Sequence, residues 1–181
     1  MSGISTYNIA FKGLALGKTV FDYTIGKRFF DYFDGGIVSE GDVAVQVALE
    51  KQSNLLTLDF TIAGVVQVAC DRCLDIYPEP IKSKATVYVK YGEDSYEEGD
   101  DVIWVDVNES QINVAQMIYD YILLALPIRM VHPEDEQGNS QCNPEMIEKL
   151  ESLNYLPEND EEEITDSRWD ELKKLLETDK N

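Results

Sequence analysis

The chain has 181 residues, 44% of them hydrophobic, and carries 35 acidic against 15 basic side chains for a formal net charge of −20. That length suits one domain with an appendage, and the apolar content is enough to bury a core. Charge of this sign opposes phosphate binding, which depends on cations that release counterions, and favours a basic protein partner instead.

Residues 1–20 are polar and mixed, without the apolar stretch of a signal peptide, and no run approaches the length of a membrane helix. Three cysteines do not make a secreted disulfide framework. A cytoplasmic protein with no membrane contact is the expectation.

In chain order, residues 18–25 read as a strand, and Lys27–Phe33 as a short helix with Phe29, Phe30 and Phe33 at helical spacing, ended by Gly35-Gly36. The clearest β signal follows. The odd positions Val43, Val45, Val47 and Leu49 are apolar, and so are the even positions Leu56, Leu58, Phe60 and Ile62, with Gln52-Ser53-Asn54 as the turn between them. Gly64 is read as a bend or bulge. Beyond it, Val66, Val68 and Cys70 keep the same parity, so Cys70 stands where a strand leaves the sheet.

After Pro78 and Pro80 the pattern predicts a strand over 81–91. Ile81, Ala85, Val87 and Val89 form its apolar side, and Lys82, Lys84, Thr86, Tyr88 and Lys90 its wet side. Lys82, Lys84, Tyr88 and Lys90 are a candidate interaction surface, to be weighed against the plain reading of a solvated edge. An acidic loop follows, with six acids and no base over 93–101, and Val102–Val107 forms another strand.

A helix is predicted over 113–126, with Asn113 as N-cap, Gln116 completing a capping box, and Val114, Met117, Ile118, Tyr121 and Leu124 as its buried stripe. Pro127 stops it. Asn143-Pro144 opens a short helix with Met146, Ile147 and Leu150 inward. Residues 134–181 hold a net charge of −11, against −1 for residues 1–92. Within this tail, 157–166 read as an acidic linker and 167–176 as an amphipathic helix carrying Trp169, the fifth candidate contact residue. The whole reads as an α+β fold. A β-rich, antiparallel curved sheet or small barrel over 5–107 is covered by one helix, with further helices C-terminal. Residues 1–155 form the domain, and 156–181 the linker and last helix.

The chemistry concentrates in four residues. Cys70-Asp71-Arg72-Cys73 places two thiols two residues apart, and His132, the sole histidine, and Cys142, the remaining cysteine, follow the apolar helix. Three thiolates and an imidazole suit tetrahedral zinc, although the nine residues between His132 and Cys142 are a loose spacing for the second half of a zinc module. Thiols with no metal, and a redox-active pair, are the alternatives. The redox reading is weakened because the pair leaves a strand for a Pro-rich turn rather than opening a helix. No phosphate loop, nucleophile elbow or tunable carboxylate pair is present, which points away from an enzyme.

Taken together, Val68-Ala69-Cys70-Asp71-Arg72-Cys73-Leu74, the acidic loop, the helix end Ile122-Leu123-Leu124-Ala125-Leu126-Pro127, and then His132 and Cys142 resemble the YceD-like family of bacterial proteins over roughly residues 1–150. The resemblance implies a role in large ribosomal subunit biogenesis and 23S ribosomal RNA accumulation. Ribosomal proteins or assembly factors are the implied partners, ribosomal RNA is a further candidate, and no catalytic residue carries over. Some relatives have two complete Cys pairs, where this chain has His132 and Cys142 in place of the second. A zinc-stabilised acidic interaction module without a ribosomal role is the competing reading, and a thiol redox protein the next.

Overall fold

The structure, a computed structural model, describes residues 3–33, 35–92 and 101–153. Contacts group the chain into two units, Met1–Pro144 and Glu145–Asn181. Of the second unit only the helix α3 (Pro144–Leu153) is described. Its Met146 and Ile147 are half-buried, whereas Leu150, expected to face inward, is 43% exposed. The predicted acidic loop (93–100) and tail helix, Trp169 included, lie outside the described residues.

The first unit is built on five strands. They are β2 (Gly17–Ile25), β3 (Glu40–Lys51), β4 (Leu55–Ala69), β5 (Ile76–Tyr91) and β6 (Val102–Val105), in the order β2-β3-β4-β5-β6. The sheet is open: β2 and β6 do not pair, so the barrel alternative falls and the sheet alternative stands. The helix α1 (Lys27–Phe30) follows β2 and buries Phe29 and Phe30. The helix α2 (Ala115–Leu124) packs on β4 and β5. A small second sheet pairs β1 (Asn8–Ile9) with β7 (Ile112–Asn113), which the sequence pattern did not signal.

The alternation read from sequence sets the core. Val43, Val45, Val47, Leu49, Leu56, Leu58, Phe60, Ile62, Val66 and Val68 are all at most 2% exposed. Each faces the α2 side because the strand period is two. Aromatic rings fill the space beneath: Phe60 lies 5.2 Å from Tyr121, and Phe33 stacks on Tyr119 at 4.0 Å and 6°. The Lys51 ammonium donates to the carbonyls of Phe11, Lys12 and Leu14 at 2.9, 3.2 and 2.8 Å, tying the N-terminal segment to the end of β3.

Five local expectations change. Gly64 marks no bulge, because β4 pairs without interruption with Val43 on one side and Ile81 on the other. Its glycine is required by close approach: a Cβ there would lie 2.3 Å from the Asp42 carbonyl oxygen and 2.6 Å from the Val43 Cα. β5 begins at Ile76 rather than after the prolines. Pro78 and Pro80 lie within it, tolerated because β6 flanks only residues 88–91 and leaves the earlier part of β5 as an edge. β6 runs parallel to β5, not antiparallel, with Val102 opposite Tyr88 and Val105 opposite Tyr91. In α2 the stripe is rotated. Ala115, Ile118, Tyr119 and Ile122 are buried and Leu124 is 75% exposed. Asn113 does accept the Ala115 N–H at 3.0 Å, but Gln116 turns to Asp120 at 2.8 Å instead of closing a capping box.

Candidate metal centre

The long β4–β5 hairpin turns through residues 70–75. The Cys70 N–H donates to the Asp75 carbonyl and the Leu74 N–H to the Cys70 carbonyl, both at 2.9 Å, and the Arg72 N–H points to the Cys70 sulfur at 3.4 Å. This compact knuckle holds both thiols inward while Leu74 adopts a left-handed φ of 65°. Cys70 is buried because it continues the inward parity of Val66 and Val68.

The second half is positioned by the knuckle itself. The Asp71 N–H donates to the Met130 carbonyl at 2.7 Å, and the Met130 N–H donates to an Asp71 carboxylate oxygen at 2.7 Å. That reciprocal pair fixes the chain two residues before His132. The nine intervening residues then fold on themselves. The Asp135 carboxylate accepts the N–H groups of Gln137 and Asn139 at 2.9 and 2.8 Å and the Asn139 amide at 3.0 Å, while Glu134 pairs with Ser140. The turn brings the chain back and delivers Cys142, whose N–H rests on the Ser140 hydroxyl oxygen at 3.3 Å. The loose sequence spacing is thus taken up by a tight loop.

All four donors meet. The three sulfurs and a His132 ring nitrogen lie within 4.8 Å of one another. Cys70 and Cys142 sulfurs are 3.7 Å apart, and the Cys73 sulfur is 3.4 Å from His132 Nδ1. Zinc–sulfur and zinc–nitrogen bonds of about 2.3 and 2.0–2.1 Å define a tetrahedron with edges of roughly 3.8 Å between sulfurs and roughly 3.6 Å between sulfur and nitrogen. Two edges already have those lengths, and the widest needs to contract by about 1 Å. The donor set therefore fits zinc in chemistry and in size, with Nδ1 as the ligating nitrogen.

The electrostatics agree with a site prepared to hold a cation. Burial pushes the Cys70 thiol up, but the N–H groups of Cys73, Arg72 and His132 and the imidazole outweigh it and bring it down to about 6. The Ser140 hydroxyl pulls Cys142 down, and burial together with the neighbouring Cys70 sulfur more than reverses this, leaving Cys142 raised. Like charges at this separation resist simultaneous ionisation unless a cation joins them.

Residues 58–176 match the family described as large ribosomal RNA subunit accumulation protein YceD. The chain belongs to the YceD family. The matched stretch opens inside β4 and takes in all four donors. The chain is also 25% identical over 161 residues to the uncharacterized protein YlbN of Bacillus subtilis (strain 168), covering 88% of each sequence. No solved structure matches. Among the described residues no helix is long and apolar enough to cross a membrane.

Within this YceD-family chain the predicted contact residues of β5 stand apart from the knuckle. Lys82 and Lys84 are exposed on the outer face of β5, Tyr88 is 43% exposed beside them, and the Lys90 ammonium lies 5.6 Å from the centroid of Trp104. Two residues that the sequence did not single out belong to the centre. Asp71 was visible only as a spacer between cysteines, and nothing local reveals a bond to residue 130. Tyr77 packs its ring 4.8 Å from that of His132, is 3% exposed, and its hydroxyl finds no hydrogen-bond partner among the described residues. Burial and the Glu79 carboxylate raise its pKa.

Proposed function

We propose that the chain is a non-enzymatic cytoplasmic factor that supports accumulation of 23S ribosomal RNA and assembly of the large ribosomal subunit through protein contacts, with zinc as a structural staple. The family match carries the ribosomal part of this reading. The donor set carries the structural part: Cys70, Cys73, His132 and Cys142 would fill all four tetrahedral positions, whereas catalytic zinc keeps one open for substrate or water. All three thiols are buried, which argues against redox exchange with a partner.

A net charge of −20 favours a basic ribosomal protein or an assembly factor over bare RNA as the direct partner. The outer row Lys82, Lys84, Tyr88 and Lys90 and the Trp169 segment, with residues 156–181 as acidic linker and helix, are the surfaces assigned to those contacts. Depletion in cells tests the role. The ratio of large- to small-subunit ribosomal RNA is expected to fall, and affinity capture is expected to recover ribosomal proteins or assembly factors. An unchanged ratio under growth-limiting depletion refutes the ribosomal role and leaves a zinc-stabilised interaction module. Metal content after purification without chelator tests the staple; stoichiometry near zero refutes it.

A further inference from the structure

We propose that the outer edge of β2 pairs antiparallel with the same strand of a second copy of this chain, in the register centred on Val20. The strand lies outside residues 58–176, so the inference goes beyond what the family match covers.

β2 is paired on one side only: its register with β3 runs residue by residue from Gly17↔Lys51 to Ile25↔Val43, and no strand among the described residues lies on its other side. Nine residues paired without a break leave an open edge. Edges of this kind are ordinarily blunted by proline, a bulge or an inward-pointing charge. β2 has none of these, and its only edge-guarding feature is outward charge, of opposite signs that can pair rather than repel. Its two charges, Lys18 and Asp22, are both on the outer row with Val20 and Thr24, and Val20 is 45% exposed. Thr19, Phe21 and Tyr23 on the inner row are only half-buried.

Self-pairing restricts the registers sharply. Partners across an antiparallel ladder must share a face, so a strand pairing with its own copy can only be centred on one of its residues. Centring on Val20 sets Lys18 against Asp22 of the second copy, twice, because the two-fold axis repeats the pair. The same register sets Phe21 against Thr19, an aromatic beside a β-branched residue, and lays Tyr23 over Gly17, the arrangement by which an aromatic covers an edge glycine. Val20 meets Val20 on the axis. Centring on Phe21 instead places Val20 against Asp22 and leaves Lys18 against Thr24, losing both ion pairs. One Asp22 oxygen accepts from the Gln46 amide at 2.8 Å, and the carboxylate retains a second oxygen for lysine.

Sedimentation of the full chain across micromolar concentrations tests the interface, and a reversible monomer–dimer equilibrium is expected. Lys18→Asp turns both attractive pairs repulsive and is expected to weaken the dimer about tenfold, and Lys18→Asp combined with Asp22→Lys to restore it. A mixed-label sample of unmutated protein is expected to show a contact between Val20 methyls of different chains. A monomer at every concentration, as expected if the edge instead takes a strand from another protein, overturns the proposal. So does a dimer that ignores the charge reversal, or one with no Val20–Val20 contact.

Discussion

Replacing Asp71 with alanine separates the work of holding the metal centre from the work of ligating the metal. Alanine keeps the backbone N–H that donates to Met130 and removes the carboxylate that accepts the Met130 N–H at 2.7 Å. A hydrogen bond to a charged group contributes about 1.5–3 kcal/mol, and Asp71 is exposed, so the lower end of about 1.5 kcal/mol applies. All four donors remain. If that bond holds residues 130–132 in the ligating position, its loss must be made good when metal binds, and zinc affinity falls about tenfold at unchanged stoichiometry. Asp71→Asn keeps a neutral acceptor and is expected to lie between. Competition against a chromophoric chelator of known affinity measures both. Affinity equal to that of the unmutated protein in both variants refutes the positioning role, and a halved stoichiometry shows that Asp71 does something other than orient.

Gly64→Ala places a Cβ 2.3 Å from the Asp42 carbonyl oxygen, a backbone atom that cannot move alone, so β3 and β4 must part; a loss of about 2–4 kcal/mol is expected by urea unfolding, and a change within about 0.5 kcal/mol contradicts the close-approach account. Leu74→Gly acts in the other direction. The left-handed backbone at φ 65° costs leucine about 1–2 kcal/mol, and at 68% exposure little apolar burial is lost, so stability is expected to rise by about 0.5–1 kcal/mol. A decrease shows that the leucine packs. The pH dependence is expected on the alkaline side. Burial raises the pKa of Tyr7, Tyr23, Tyr77, Tyr91 and Tyr121, so the fold keeps protons that the unfolded chain releases. Stability is fully present below the ordinary tyrosine pKa of about 10 and declines as pH rises above it. Phenolate absorbance that completes its titration at the ordinary pH, with the protein still folded, contradicts this.

Strand periodicity was legible because one face is buried. Leu56 through Ile62 alternate without exception and Val43 through Leu49 break the pattern only at the small Ala44 and Ala48, and the structure buries the large side chains of both runs. What was not legible depends on pairing between distant segments. β1 and β7 are two residues each and exist only because residues 8–9 meet 112–113, which no local pattern encodes. The direction of β6 relative to β5 is not encoded in its own four residues. The rotation of α2, which buries Tyr119 and exposes Leu124, reflects the shape of the sheet beneath and the Phe33 ring waiting for Tyr119. The four metal donors were legible as residue types. Their convergence was not, because it needs the Asp71–Met130 pair and the Asp135 turn, neither of which leaves a mark in spacing alone.

The separation of the donors along the chain makes the centre a long-range contact. Cys70 and Cys73 come together within a hairpin whose contacts are local. Their partners are 72 and 59 residues away, on the far side of α2 in the chain. The four-donor set that the proposed zinc needs is therefore complete only where the hairpin turn and residues 130–142 have met.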